Sequence, residues 1–376
     1  MKKKVLVYYY TYPLTLSSTH SVPRLLTQLI NELSRDFDIT ILEYSSLKYE
    51  LSPEIKRINI SINNLKEKVR KILGFKETQK NIRQKYTRLF FNKNKIPVDI
   101  VIVLSYLDFE DVIKMFPKVV KVYWVHDFSI DIVQRHLSTL NLIDYLISPS
   151  YALSKKMKDE ALPYKIKTKT LIIPNWVSDN LIQLNSIKRI NARNKFEIPL
   201  TSIVFIFIGG DSTLKGSHLI ENILREVSTE NRPIVLIKAG TNNITRKQNN
   251  HLLILEVGKL PPEELAFAYA ASNFGIFPSQ VFENLPLAII EMITFGILPI
   301  ASDIGGVSEL LGNNYQFLIK DLSNTRAWVE KINTLINTPD NIKEMQVNEL
   351  RKLIAKKYNF KNSIDCWRSV LKELTT

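Results

Sequence analysis

The sequence predicts a doubly wound α/β architecture laid down twice, and three observations predict it. Short apolar runs recur along the chain without the alternation of half-exposed strands, as strands covered on both faces do. Amphipathic helical stretches separate them, the order of elements that builds parallel sheets. A polar stretch without sheet-like runs, residues 178–193, then divides the series in two.

The first series opens with a strand over residues 4–10 and a loop over 11–21. Ser21 is placed as a helix N-cap, with Pro23 in the first turn and Leu25, Leu26, Leu29, Ile30 and Leu33 at helical spacing. Strands follow at 38–43, 99–104, 119–125 and 142–148. After the polar stretch, read as a hinge, strands are expected at 202–208, 233–239, 251–257, 274–277, 297–301 and 317–319. Residues 322–376 are helical by periodicity, and the piece after Phe360 is expected to return to the first domain. The expected domains are 1–178, joined by helix 361–376, and 179–360.

At 376 residues and 45% hydrophobic content the chain is long enough for two cores. Its single cysteine, Cys366, excludes an internal disulfide framework and fits a reducing compartment. No run of about 18 apolar residues occurs and the first apolar stretch is too short for a signal peptide, so a cytoplasmic protein is expected. The net charge of +14 calls for an anionic partner. With no zinc-ligand cluster, basic repeat or RNA-recognition signature, nucleic acid is not that partner. Residues 64–95 concentrate positive charge, with Lys66, Lys68, Arg70 and Lys71 opening the run. They read either as a solvated helix on a sheet edge or as a reversible dock on the cytoplasmic face of an anionic membrane, where each cation contributes about 1 kcal/mol.

Chemistry concentrates in residues 274–311. A strand ends at Pro278-Ser279, a loop carries Glu283, Pro286 begins a helix holding Glu291, and a second strand leads to Gly305-Gly306. In an open parallel sheet such loops lie where ligands bind. Upstream, Gly209-Gly210 closes a strand and Lys215 precedes a helix, a turn that offers backbone N–H groups to phosphate. Paired acids serve glycoside hydrolysis, metal binding or hydroxyl recognition. The absence of further hard ligands and the adjacent phosphate turn favour the last. Glu291 also fits a plain first-turn acid on a helix dipole.

The segment "FPSQVFENLPLAIIEMITFGILPIASDIGGVSELL" closely resembles the retaining family-4 glycosyltransferases of GT-B fold, in the subgroup that writes its acidic motif Glu-Asn-x-Pro-Leu. "YWVHD", "LISPSYALSKKM", "IIPNWV", "FIGGDSTLKG", "LIKAG" and "LPPEELAFAYAASNFGIFPS" match in the same order. The resemblance implies two Rossmann-like domains facing each other across a cleft, and hexose transfer from a UDP- or GDP-linked sugar to a glycan or lipid-linked acceptor. It implies retention of configuration, a place in cell-surface polysaccharide or glycoconjugate synthesis, and no cofactor or metal. Glu283 would hold the donor sugar, with the backbone of Asn284, Leu285, Pro286 and Leu287 on its hydroxyls and the distal phosphate. Glu291 would bind ribose, Lys215 the diphosphate, Gly209 and Gly210 the phosphate turn, and His126 the sugar near its anomeric carbon. The alternatives are a sugar-nucleotide epimerase of the same fold and a non-catalytic partner subunit. Three departures stand out: Gly210 replaces a usual arginine, His20-Ser21 replaces a usual glycine pair, and Trp176 stands where glycine is common.

Overall fold

The computed structural model describes residues 2–9, 14–43, 50–59, 87–88, 90–104, 109–126, 137–161, 168–177, 179–229 and 232–374. The chain divides into two compact units, Met1–Ile173 with Ile364–Thr376, and Pro174–Ser363. Among the described residues, no helix is long and apolar enough to cross a membrane.

In the first unit, β1 (Lys4–Tyr8), β2 (Asp38–Glu43), β3 (Lys56–Asn59), β4 (Ile100–Leu104), β5 (Val120–Trp124), β6 (Tyr145–Ser148) and β7 (Lys169–Ile172) form one sheet. Its order is β3-β2-β1-β4-β5-β6-β7. Every pairing is parallel. Central strands such as β4 are buried at every position, which explains their unbroken apolar runs. The helix Ser21–Leu33 starts at the expected place, but His20 occupies the cap position and no side chain caps the helix. The last helix, Phe360–Glu373, packs its C-terminal part on this unit. Trp367 meets Trp124 edge-on at 5.1 Å, and the Arg368 guanidinium donates to Asp36 at 2.8 Å.

Most of the basic stretch 64–95 lies outside the described residues. Within its described end, Arg88 pairs with the buried Asp111, and Phe91 packs edge-on against Phe116 at 5.2 Å. That part of the stretch spends a charge and an aromatic ring on the fold itself.

In the second unit, β8 (Ile203–Ile208), β9 (Ile234–Ala239), β10 (Ile244–Asn249), β11 (Leu252–Val257), β12 (Phe274–Phe277), β13 (Leu298–Ser302) and β14 (Leu318–Ile319) form the other sheet, in the order β10-β11-β9-β8-β12-β13-β14. All pairings are parallel except β10 with β11. The edge strand β10 is polar and mostly exposed, which is why it carries no apolar signal in the sequence. Of residues 178–193, expected as a hinge, the described part from 179 onward folds instead into the helix Asp179–Gln183, a 3-10 turn Leu184–Ser186 and the start of the helix Arg189–Lys195. Arg193 is buried there, donating to the carbonyl of Ala271 at 3.1 Å and to Asn273 Oδ1 at 2.8 Å. A buried guanidinium satisfied by carbonyl oxygens of the backbone and of an asparagine is indistinguishable from a solvated one in a linear sequence.

Candidate active site

Strand β8 is the point where the order of the second sheet reverses, with β9 on one side and β12 on the other. At such a reversal the loops leaving adjacent strands diverge and open a crevice at the carboxyl ends. The sequence-predicted donor residues emerge there.

Gly216 lies after a 3-10 turn, Thr213–Lys215, at φ +75°, and a Cβ on it would stand 2.0 Å from the carbonyl oxygen of Pro278. Only glycine permits that approach of the first turn to the exit of β12. The amide of Gln280 donates to the Leu214 carbonyl at 2.9 Å and ties the two loops further. As a result Lys215 Nζ reaches Glu283 Oε1 at 2.6 Å, although 68 positions separate them. The Lys215 side chain stays 38% exposed while that of Glu283 is 9% exposed. The Ser279 hydroxyl donates to the same Oε1.

The backbone of Glu283 is fixed from the other side. The Gly306 amide donates to its carbonyl at 2.7 Å, and a Cβ on Gly305, at φ +58°, would fall 2.1 Å from that carbonyl oxygen. The Gly305-Gly306 pair therefore serves to press a loop onto Glu283. Beyond it Leu285 turns into the core, Asn284 is half-buried, Pro286 takes the cap position, and Leu287 begins the helix Leu287–Thr294. Proline at the cap costs no hydrogen bond, since the N–H it lacks would have no helical partner. Glu291 stands one turn in, 7% exposed, and accepts a hydrogen bond from the hydroxyl of Tyr269 at 2.7 Å.

The turn at Gly209-Gly210 corrects one expectation. Both amides donate to the carbonyl of Ala239, at 3.3 and 3.0 Å, so they are spent on the sheet and are not presented to a ligand. What the pair supplies is closeness: Gly210 sits at φ +60°, and a Cβ there would lie 2.4 Å from the carbonyl oxygen of Gly240. The arginine that the resemblance leads one to expect has no room at this position, and Lys215 is left as the cation of the turn.

His126 belongs to the first unit, just beyond β5, with its ring centroid 4.6 Å from that of Trp124. The residue as a whole is half-buried, but its Nε2 is enclosed, and burial lowers its pKa to about 3. It is a neutral imidazole at physiological pH.

The structure thus joins Lys215 with Glu283 and sets Glu291 on the following helix. Two partners escaped the sequence reading. Ser279 lay inside a quoted motif and could have been suspected from its position four residues before Glu283. Tyr269 lay inside another matched stretch but was not singled out, because on the preceding helix, Pro262–Ala271, it reads as one more apolar-face residue. Among the described residues no group of three or more His, Cys, Asp or Glu side chains could hold a metal ion.

Residues 188–356 match the family described as Glycosyl transferases group 1. The chain is 27% identical over 201 residues to D-inositol 3-phosphate glycosyltransferase of Corynebacterium urealyticum, an overlap of 48% of this chain and 46% of that one. It spans about half the length of the curated relatives it matches. Anabaena Alr3699/HepE, solved in complex with UDP and glucose, superposes with a TM-score of 0.69 at 12% identity, covering 99% of this chain and 100% of that one. WaaG, a glycosyltransferase involved in lipopolysaccharide biosynthesis, gives 0.68 at 13% identity, covering 96% and 99%. The chain has the GT-B fold, and the match to the group 1 glycosyl transferases falls within its second unit.

Proposed function

We propose that the protein transfers a hexose from a UDP- or GDP-linked sugar to a glycan or lipid-linked acceptor, with retention of anomeric configuration and without a divalent metal. The observation that carries this reading is the Lys215–Glu283 pair at 2.6 Å, set at the strand-order reversal of a group 1 domain. A half-exposed ammonium beside an enclosed carboxylate is an internal ion pair that a donor can exchange for two external ones. Lys215 would turn to the diphosphate, and Glu283, held by Ser279 and by the loop of Gly305-Gly306, would accept the sugar hydroxyls. Glu291, oriented by the Tyr269 hydroxyl, would accept the ribose hydroxyls. The backbone of Asn284 to Leu287 would face the distal phosphate, while Gly209 and Gly210 keep the turn free of side chains.

The chemical demand on such a site is to stabilise the departing nucleoside diphosphate as the sugar becomes oxocarbenium-like. Lys215 meets it as a point charge, without the two-pronged geometry an arginine would add. His126, neutral through burial, would offer the sugar a hydrogen-bonding group with no charge to oppose the developing cation. The pathway we assign, cell-surface polysaccharide or glycoconjugate synthesis, takes support from the likeness to WaaG. The basic stretch 64–95 would hold the protein at an anionic membrane surface, and that binding to vesicles should fall steeply as salt rises to several hundred millimolar.

The test is release of nucleoside diphosphate from a panel of UDP- and GDP-sugars in the presence of glycan and lipid-linked acceptors. Activity is expected with at least one donor and should be abolished by Glu283→Ala. Absence of turnover across the panel would refute the reading, and acceptor-independent conversion of the donor would identify an epimerase instead.

A further inference from the structure

The second unit holds a cavity of about 590 Å³ on the edge of its sheet opposite the donor residues, at the amino ends of β8, β12 and β13. Its size is that of a small-molecule site. Four cations line it, Arg189, Arg232, Lys343 and Arg351, against two carboxylates, Asp340 and Glu344. The balance is a surplus of two positive charges.

Those cations are unequally engaged. Arg351 is partly spent on the end of the Glu291 helix, donating to the carbonyls of Ile293 and Thr294 at 3.2 and 3.0 Å. Lys343 pairs with Asp340 at 2.8 Å and lies 5.6 Å from the centroid of the Phe274 ring. Arg189 and Arg232 close no hydrogen bond or ion pair through their guanidinium groups among the described residues; they act on Asp340 only from a distance, helping Lys343 to hold its carboxyl below the usual range. A further observation is independent of charge. Ser202, 4% exposed and lining the same cavity, has a buried hydroxyl with no hydrogen-bond partner. Buried hydroxyls are nearly always satisfied, and this one, in the lining it shares with the two unengaged guanidinium groups, leaves a donor without an acceptor.

We infer that this cavity is a second ligand site, separate from the donor crevice, that takes the phosphate monoester of a small organic molecule. A phosphate monoester carries about −1.5 to −2 charge at neutral pH, which matches the surplus of two, whereas a single carboxylate leaves half of it uncompensated. Its oxygens accept from the forked guanidinium donors of Arg189 and Arg232 and from the Ser202 hydroxyl. Phe274, Leu298 and Val347 give the rest of the molecule an apolar wall. The floor of the cavity includes Phe295 and Gly296, the exit of the helix that bears Glu291.

The test is thermal shift and calorimetry on the full chain with phenyl phosphate and ribose 5-phosphate as probes, and with sodium sulfate at equal ionic strength as control. Saturable binding of either probe is expected. Arg189→Gln/Arg232→Gln should weaken it at least tenfold, and Lys215→Ala should leave it within twofold. Ser202→Ala provides a variant that does not threaten the fold: it removes an unsatisfied hydroxyl, so the free protein should melt no lower, yet probe affinity should drop at least threefold. Binding lost in Lys215→Ala but kept in the arginine variant would place the probe in the donor crevice and overturn the inference. So would a response no larger than that to sulfate, or no binding of either probe at 10 mM, whatever the outcome of the transferase assay.

Discussion

Tyr269→Phe isolates one interaction of the candidate site. The ring is fully buried, stacks on Phe295 at 5.2 Å, and contributes its hydroxyl to Glu291 at 2.7 Å. Phenylalanine keeps the ring and its packing and removes one oxygen, so little cavity cost enters. What is lost is a hydrogen bond to a charged acceptor, about 1.5–3 kcal/mol, because the carboxylate is only 7% exposed and water does not readily replace the donor. In a unit of this size that lowers the melting midpoint by roughly 3–12 °C. Urea unfolding of the wild type, Tyr269→Phe, Glu291→Gln and the double variant forms a cycle whose coupling should be about 1 kcal/mol or more. The same variant should weaken nucleotide binding by calorimetry, since Glu291 loses the contact that orients it. Strict additivity of the two substitutions, or a Phe variant within 0.5 kcal/mol of wild type, would refute the argument.

Three further outcomes are expected. Gly305→Ala forces a Cβ to 2.1 Å from the Glu283 carbonyl oxygen at a positive φ, so nucleotide-sugar affinity should fall at least tenfold by calorimetry even where the fold survives by circular dichroism. His126 has a folded-state pKa of about 3 against 6.5 unfolded, so the unfolded chain binds the extra proton between those values. Its contribution to stability is therefore complete above pH 6.5 and is lost as pH falls toward 3; His126→Gln should flatten that part of a denaturation profile measured from pH 7.5 to 4. Arg368→Ala removes the contacts of the last helix to Asp36 and Glu32, at 2.8 and 3.4 Å, and should cost about 1 kcal/mol of the first unit's stability, less at high salt.

The legible parts of the fold were those where burial writes itself into composition. Strands β4 and β8, enclosed on both faces, are unbroken apolar runs and stand where the sequence places them. β10 was missed because an exposed edge strand has no apolar face to betray it. Residues 178–193 were misread because Arg193 is satisfied by carbonyls that lie about 80 positions away. In the site, Glu283, Glu291 and Lys215 were recognisable by type and spacing. Ser279 and Tyr269 were not, since each matters through one hydrogen bond that folding creates.

By itself, then, the sequence determined a twofold α/β organisation and the identity of the acidic and basic donor residues, because hydrophobic period and residue chemistry are local properties. Only the tertiary structure decided how they are used. Gly209 and Gly210 surrender their amides to Ala239 instead of offering them to a ligand. Gly216 and Gly305 bring loops to within a Cβ's distance of Pro278 and Glu283, and so place an ammonium on a carboxylate 68 residues away. The basic cavity at the far edge of the same sheet is likewise assembled from separate helices and strand starts, and no stretch of the sequence contains it. Contacts between positions distant in the chain depend on how the backbone closes, which local pattern does not encode.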